Sequence, residues 1–129
     1  MKTVLIADDN MLSRKQLQDI FTRHMGMEVV GLAKNGNEAV ELFKQHQPDL
    51  ITLDITMPVK SGVAALEEIL AIDPAACCVM ISALKEDSDQ VISALNAGAK
   101  TYISKPIKPK DETFLREFSE EIKEAAAPA

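Results

Sequence analysis

Five polar residues follow apolar runs of the sequence at the points where strands are predicted to end. Asp8 and Asp9 follow the first run, Asp54 the third, Ser82 ends the fourth and Lys105 follows the fifth. Three carboxylates brought close together repel one another unless a cation neutralises them. A hard divalent ion with oxygen ligands, such as Mg²⁺, suits this role. The pattern favours metal-assisted transfer of a phosphoryl group, with Asp54 as its acceptor.

The stretch Pro48–Pro58 is the centre of this pattern. Leu50, Ile51 and Leu53 form a short apolar run that ends on Asp54. Near-continuous apolar character predicts a strand covered on both faces. A carboxylate at the end of such a strand is costly without a partner, so Asp54 should meet a metal, a cation or water.

The rest of the chain predicts the elements that position these residues. Strands are expected at 3–7, 28–33, 50–53, 77–81 and 101–104, and helices at 11–25, 37–47, 62–73, 88–98 and from Pro109 to about 122, the fourth carrying Val91, Ile92 and Leu95. Strands that alternate with helices indicate an α/β fold with a parallel sheet and helices on both faces. The carboxyl ends of the strands then meet at one edge, where ligands bind.

Composition indicates one soluble globular domain. The 129 residues are 47% hydrophobic and 26% charged, and the net charge of -6 with a pI of about 4.9 disfavours direct binding of nucleic acid. The longest apolar run, Ala75–Ile81, is too short to span a membrane. No signal segment follows Met1, so a cytoplasmic location is expected.

Three smaller expectations concern the chain end and the remaining reactive side chains. The domain is predicted to cover residues 1–124, and residues 125–129 to form a flexible tail. Cys77 and Cys78 are expected to be small core residues, and His24 and His46 to lie at the surface.

These residues, in this order, resemble the receiver domain of bacterial response regulators. The resemblance covers Val4 to about Ile122 and rests on Asp8–Asp9, Asp54, Met57–Pro58, Gly62, Ser82–Ala83, Tyr102 and Lys105–Pro106. It implies a single (βα)5 doubly wound parallel five-stranded sheet with the flavodoxin-like order 2-1-3-4-5. It also implies a single-domain regulator like those of chemotaxis.

The resemblance assigns the metal and the phosphoryl group to particular residues. Asp54 would be the phosphoacceptor and form an acyl phosphate. Asp9 and Asp54 would bind Mg²⁺ directly, together with the backbone carbonyl of Thr56, and Asp8 would act through a metal-bound water. Mn²⁺ is expected to substitute for Mg²⁺.

Other residues would report the arrival of the phosphoryl group. Lys105 would pair with it or with Asp54, and the bond from Lys105 to Pro106 is expected to be cis. Ser82 would follow the phosphoryl oxygen and Tyr102 would turn inward. The surface of the fourth helix, fifth strand and fifth helix would then change and bind an output partner.

The resemblance also implies the partners. A sensor histidine kinase or a histidine phosphotransfer protein would supply the phosphoryl group from a phosphohistidine. The output target would be a protein, such as a flagellar motor component or another regulator, and neither nucleic acid nor membrane is expected to bind. Arg14, with Asn10 and Met11, forms a candidate docking patch for the kinase.

The expected activity is limited to the chain's own phosphorylation and slow hydrolysis, so the chain is not predicted to be an enzyme for other substrates. Ser82 stands where Thr is commoner in the family. Thr56 and Leu84 occupy positions that tune the access of water, and neither carries a charge. A phosphorylated form that is not among the shortest-lived follows from this.

Three other functions fit the sequence less well. A metal-dependent phosphatase usually needs a second acid two residues after its aspartyl nucleophile, where this chain has Thr56. A flavin or nucleotide binder needs a loop after the first strand that attracts phosphate, and Asp8–Asp9 would repel it. A pseudo-receiver is expected to lack one of the acids or the lysine, and none is missing. The sequence leaves open whether the domain stands alone or comes from a longer regulator, and whether it dimerises.

Overall fold

The computed structural model describes residues 2–127 and contains five parallel strands. They are β1 (Thr3–Ala7), β2 (Glu28–Ala33), β3 (Leu50–Leu53), β4 (Cys78–Ser82) and β5 (Thr101–Ser104). Their order in the sheet is β2-β1-β3-β4-β5, and every neighbouring pair is parallel. The predicted fold class and strand order are confirmed.

Five helices connect or follow the strands, and each begins after a capping side chain. They are α1 (Met11–Asp19), α2 (Gly36–His46), α3 (Gly62–Ile72), α4 (Asp89–Ala97) and α5 (Glu112–Ala126). The side chains of Asn10, Asn35, Ser61, Ser88 and Asp111 accept a hydrogen bond from the backbone N–H three residues further on. Such caps satisfy donors that the first turn of a helix leaves free.

Several predicted boundaries shift by one residue, the last helix begins at Glu112 and not at Pro109, and two further differences are larger in effect. The first helix does not continue as an α-helix to Met25, because Ile20–His24 form a π-helical turn that buries Ile20 and Phe21. The chain end is the second case: α5 continues to Ala126, and Ala125 packs against the apolar core on that face of the sheet. Ala125 and Ala126 are thus part of α5, residues 128 and 129 lie outside the described residues, and the division into a domain of 1–124 and a tail stays a prediction.

The sheet separates two apolar cores. Alternate residues of β3 point to opposite faces, so Ile51 and Leu53 pack with α2, α3 and α4, while Leu50 packs with α1 and α5. All four residues of β3 are buried, which confirms a strand covered on both faces. The Asp54 that follows this strand is therefore held at the rim of two packed layers.

The two cysteines are free thiols, and Cys78 starts β4 inside the core. Burial raises the pKa of Cys78 to about 12, so the thiol stays protonated. Cys77 is half-buried and its thiol donates to the carbonyl of Ala125 at 3.5 Å. His24 and His46 are exposed, as predicted. No helix within residues 2–127 is both long and apolar enough to cross a membrane.

Gly62, the first residue of α3, lies against the backbone at the end of β3. A Cβ at this position would come within 2.0 Å of the Asp54 carbonyl oxygen and 2.8 Å of the Ile55 Cα. Its N–H also donates to the Ile55 carbonyl at 2.8 Å. The absence of a side chain at Gly62 is what lets α3 start close enough to hold the loop that follows Asp54.

Gly62→Ala should therefore lower the free energy of unfolding by about 2–4 kcal/mol, since the backbone around Asp54 has to move. Gly26→Ala is the matched control: Gly26 has φ +64°, but a Cβ there meets nothing within 4 Å. The control should cost only about 1 kcal/mol, the price of a left-handed alanine. Urea denaturation of the two variants measures this difference, and equal midpoints would contradict the steric explanation.

Candidate functional site

The backbone brings the carboxyl ends of all five strands together at one edge of the sheet. The N–H of Asp8 donates to Ala33 O at 3.0 Å, that of Asp54 to Ala7 O at 2.9 Å, and that of Lys105 to Ser82 O at 2.8 Å. Each bond extends the pairing of two strands by one residue. These bonds fix the backbone of Asp8, Asp54 and Lys105, and therefore the points from which their side chains extend.

Three carboxylates meet at this edge. Asp8, Asp9 and Asp54 each offer one carboxylate oxygen, and these oxygens all lie within 4.8 Å of one another. Asp8 and Asp54 are buried, whereas Asp9 is exposed. The cluster is thus open to solvent on the side of Asp9, and its oxygen donors fit a hard divalent cation.

The ammonium group of Lys105 bridges the two buried acids. Its Nζ lies 2.7 Å from Asp54 Oδ2 and 2.8 Å from Asp8 Oδ2. Burial acts to lower the pKa of Lys105, but the hydrogen bonds to Asp54 and Asp8 outweigh it, so the pKa is raised. The lysine is therefore a fixed positive charge in the site at any physiological pH.

Both oxygens of Asp54 are held by donors. Oδ2 faces Lys105, while Oδ1 accepts from the hydroxyl of Ser82 at 2.6 Å and from the N–H of Thr56 at 3.1 Å. The carboxylate is thus oriented as well as charged. Thr56 lies in the loop after Asp54, and a role for its carbonyl in metal binding stays a prediction.

Asp8 is oriented differently. Its Oδ1 accepts from the N–H of Asn10 at 2.9 Å, and its carbonyl accepts from Arg14 Nη1 at 2.7 Å. Burial raises the pKa of Asp8, and the hydrogen bonds from Lys105 and Asn10 oppose this rise only in part. The charged form of Asp8 is therefore unfavourable in the folded protein when no cation is bound.

Tyr102 lies behind this cluster and is buried in the structure. Its hydroxyl donates to the carbonyl of Ser82, at 2.8 Å, and to that of Leu84. Burial is the main cause of its raised pKa. The side chain thus already takes the inward position that was expected of the phosphorylated form, and it ties β5 to the loop between β4 and α4.

The structure brings together all the side chains that the sequence singled out. Asp8, Asp9, Asp54, Ser82 and Lys105 form one connected cluster, and the Lys105–Pro106 peptide bond is cis, as expected. Arg14 is an addition: the sequence suggested only a candidate docking patch for it, and its hydrogen bond to the Asp8 carbonyl was not predicted. The sequence signal for this contact was the position of Arg14 at the end of the first turn of α1, a short distance after Asp8 and Asp9.

Comparison with known proteins identifies the class. The family described as response regulator receiver domain matches residues 4–113. The chemotaxis protein CheY of Thermotoga maritima is 48% identical over 108 residues, which are 84% of this chain and 88% of that protein. The chain therefore belongs to the response regulator receiver family, whose general function is phosphorylation-driven signalling in two-component systems.

Solved structures agree. A chain of the CheX-CheY-BeF3-Mg+2 complex from Borrelia burgdorferi matches with a TM-score of 0.87 and 36% identity, covering 98% of this chain and 90% of that one. The response regulator domain of Thermotoga maritima CheB also gives 0.87, with 38% identity over 100% of this chain and 98% of that one. Receiver domains bind Mg²⁺ at an acidic pocket, which here is the cluster of Asp8, Asp9 and Asp54.

Asp8→Asn should stabilise the metal-free protein at neutral pH, because it removes the charge of a buried carboxyl group whose pKa burial raises. A raised pKa means that the contribution of Asp8 favours folding at low pH and is lost as the pH rises through that pKa. The difference between variant and wild type should therefore shrink as the pH is lowered toward the ordinary range of an aspartate. Urea denaturation at several pH values, with a chelator present, measures this difference in the free energy of unfolding.

Added Mg²⁺ gives the control. It should raise the stability of the wild type, because a bound cation offsets the repulsion, and raise that of Asp8→Asn much less. A variant less stable than the wild type in the chelator would contradict the assignment of Asp8 as a strained acid.

Proposed function

We propose that Asp54 accepts a phosphoryl group from a phosphohistidine of a histidine kinase or phosphotransfer protein. An Asp54 carboxylate oxygen attacks phosphorus, the P–N bond to the imidazole breaks, and the imidazole leaves with that electron pair. The observation that carries the proposal is the ammonium of Lys105 bridging Asp54 and Asp8 beside a cluster of three carboxylates. Such an arrangement neutralises an incoming dianion and orients its acceptor.

Mg²⁺ is the proposed metal, held by Asp9, Asp54 and the carbonyl of Thr56, with Asp8 acting through water; Mn²⁺ is expected to substitute. When bound, the cation offsets the charge that builds up between carboxylate and phosphoryl group. Asp9 is exposed, so the cluster is open to solvent on that side. The ion and the phosphodonor would arrive from there. The carboxyl groups of the buried Asp8 and Asp54 face the same cluster and supply its further oxygen donors.

The remaining residues are proposed to convert phosphorylation into a changed surface. Lys105 pairs with a phosphoryl oxygen, and Ser82 donates to another instead of to Asp54. Tyr102 contacts the carbonyl of Ser82, so it responds to a shift of that residue. The face made by α4, β5 and α5 then changes its affinity for an output protein.

The chain is a signalling module, and its own chemistry is limited to self-phosphorylation and slow self-dephosphorylation. The similarity to chemotaxis proteins supports an output on a flagellar motor component or another regulator, and a cytoplasmic site of action. A domain covering residues 1–124 suffices for all of this, although α5 itself extends to Ala126.

Incubation with acetyl phosphate and Mg²⁺ should add one phosphoryl group to the wild type and none to Asp54→Ala, as read by intact mass. Chelation of Mg²⁺ should abolish the gain. Asp87→Ala is the matched control, since Asp87 is an exposed acid in the loop between β4 and α4 and should not alter the result. A gain of mass by Asp54→Ala, or none by a folded wild type in Mg²⁺, would contradict the proposal.

The phosphorylated form should persist for minutes rather than seconds in Mg²⁺. Neither Thr56 nor Leu84 carries a charge that could orient the attacking water, so hydrolysis relies on the metal and Lys105 alone. The decay of the phosphorylated mass after removal of the donor measures this, and a chelator added at that point should slow it. A lifetime of a few seconds would show that another group activates the water.

A further inference from the structure

A small groove lies between β5, α5 and the loop that follows β4, and Tyr102 forms part of its lining. Its volume is about 240 Å³, and it is lined by the apolar or aromatic residues Tyr102, Ile103, Phe114 and Phe118, by Ser104, and by the acids Glu86, Glu117 and Glu121. The groove thus combines three acids with a mostly aromatic floor.

The charge of the groove has one sign. No lysine or arginine lines it, and within residues 2–127 none of the three acids makes an ion pair. Glu121 Oε1 accepts from the Thr101 hydroxyl at 2.9 Å, which orients that carboxylate without neutralising it. A concave site with charges of one sign and apolar walls concentrates the potential that a cation meets.

We propose that this groove receives a lysine or arginine side chain from the output protein, an inference that rests on the function proposed above. The aliphatic stem of such a side chain would cover Phe114 and Ile103, and its cationic head would reach the carboxylates of Glu117 and Glu121. Arginine fits better than lysine, because its planar fork can bond two carboxylates and stack on an aromatic ring.

The same charges exclude other classes of partner. Nucleic acid and anionic lipid surfaces present phosphates, which three unpaired carboxylates repel. A strongly acidic peptide is disfavoured for the same reason. The specificity of this face therefore lies in a basic anchor on a protein.

The neighbouring helix adds an apolar component. α4 packs beside β5 and leaves Ile92 and Leu95 45% and 41% exposed, although they are large and one helical turn apart. The partner segment should therefore combine its basic residue with apolar residues. Tyr102 forms one wall of the groove, so a basic side chain seated there contacts the residue that responds to Ser82.

Titration of the unphosphorylated protein with N-acetyl-leucyl-arginine amide, followed by backbone amide NMR shifts, tests the groove directly. Peptides with citrulline or glutamate in place of arginine are the probes for charge. Glu117→Gln with Glu121→Gln removes two lining charges and keeps an oxygen for Thr101. Glu120→Gln with Glu124→Gln is the matched control, because it removes two exposed charges of α5 that do not line the groove.

We expect the arginine probe to shift the amides of Ile103, Ser104 and Phe118. Its affinity should fall about fivefold in the Glu117 and Glu121 double variant and stay unchanged in the control variant. The citrulline probe should bind correspondingly more weakly. Equal binding of arginine and citrulline, equal losses in both double variants, or shifts elsewhere alone would overturn the proposal.

The two proposals fail separately. Intact mass with acetyl phosphate tests Asp54 and does not involve the groove. A protein that gains the phosphoryl group but does not shift at β5 and α5 with the arginine probe keeps its proposed function and loses the basic anchor. A protein that binds the probe but cannot be phosphorylated keeps the groove and loses the switch.

Discussion

The contact between one ammonium group and two buried carboxylates is what the rest of the site depends on. Lys105 follows β5, while Asp54 follows β3 and Asp8 follows β1, and β4 lies between them in the sheet. A long side chain at the edge strand therefore ties together the ends of strands near the centre. Without it, two acids buried at the rim of a dry core would face each other unpaired, at a cost of several kcal/mol. The same ion pairs that arrange the charges of the candidate site also hold the ends of these strands together.

The buried acids of this arrangement lower the stability of the folded protein, and a bound cation can restore it. The raised pKa of Asp8 shows that Lys105 and the N–H of Asn10 do not fully compensate for burial. Among the described residues, Asp8 Oδ2 is met by the ammonium of Lys105 at 2.8 Å, whereas the buried Thr52 Oγ1 has no hydrogen-bond partner. A bound cation should stabilise the folded protein more at this acidic pocket than at an uncharged pocket. Its binding offsets the repulsion between carboxylates that folding brings together. Proteins commonly give up stability in this way at sites that must bind.

The alternation of strands and helices predicted a parallel sheet and placed Asp8, Asp54 and Lys105 at one of its edges, because parallel strands end on the same side. The strand order β2-β1-β3-β4-β5 came only from the family resemblance, since the apolar pattern does not determine it. The features that it missed depend on tertiary contacts. The π-helical turn after Asp19 follows from how Ile20 and Phe21 pack, and Ala125 is helical because it reaches the core. Val59 has φ 68°, a strained value for a β-branched residue that no pattern predicts.

Ser82 connects the chemical site with the proposed docking groove. Its hydroxyl donates to Asp54, while its carbonyl accepts from both the Lys105 N–H and the Tyr102 hydroxyl. In the proposed switch the Ser82 hydroxyl leaves Asp54 for a phosphoryl oxygen, and a backbone shift of Ser82 that accompanies this turn would change the bond between its carbonyl and Tyr102. Tyr102 in turn is a wall of the groove that Glu86, Glu117 and Glu121 surround. Under the proposed function the two sites would be coupled through this strand end, and by linkage a partner that binds one position of Tyr102 more tightly would favour the matching state of Asp54.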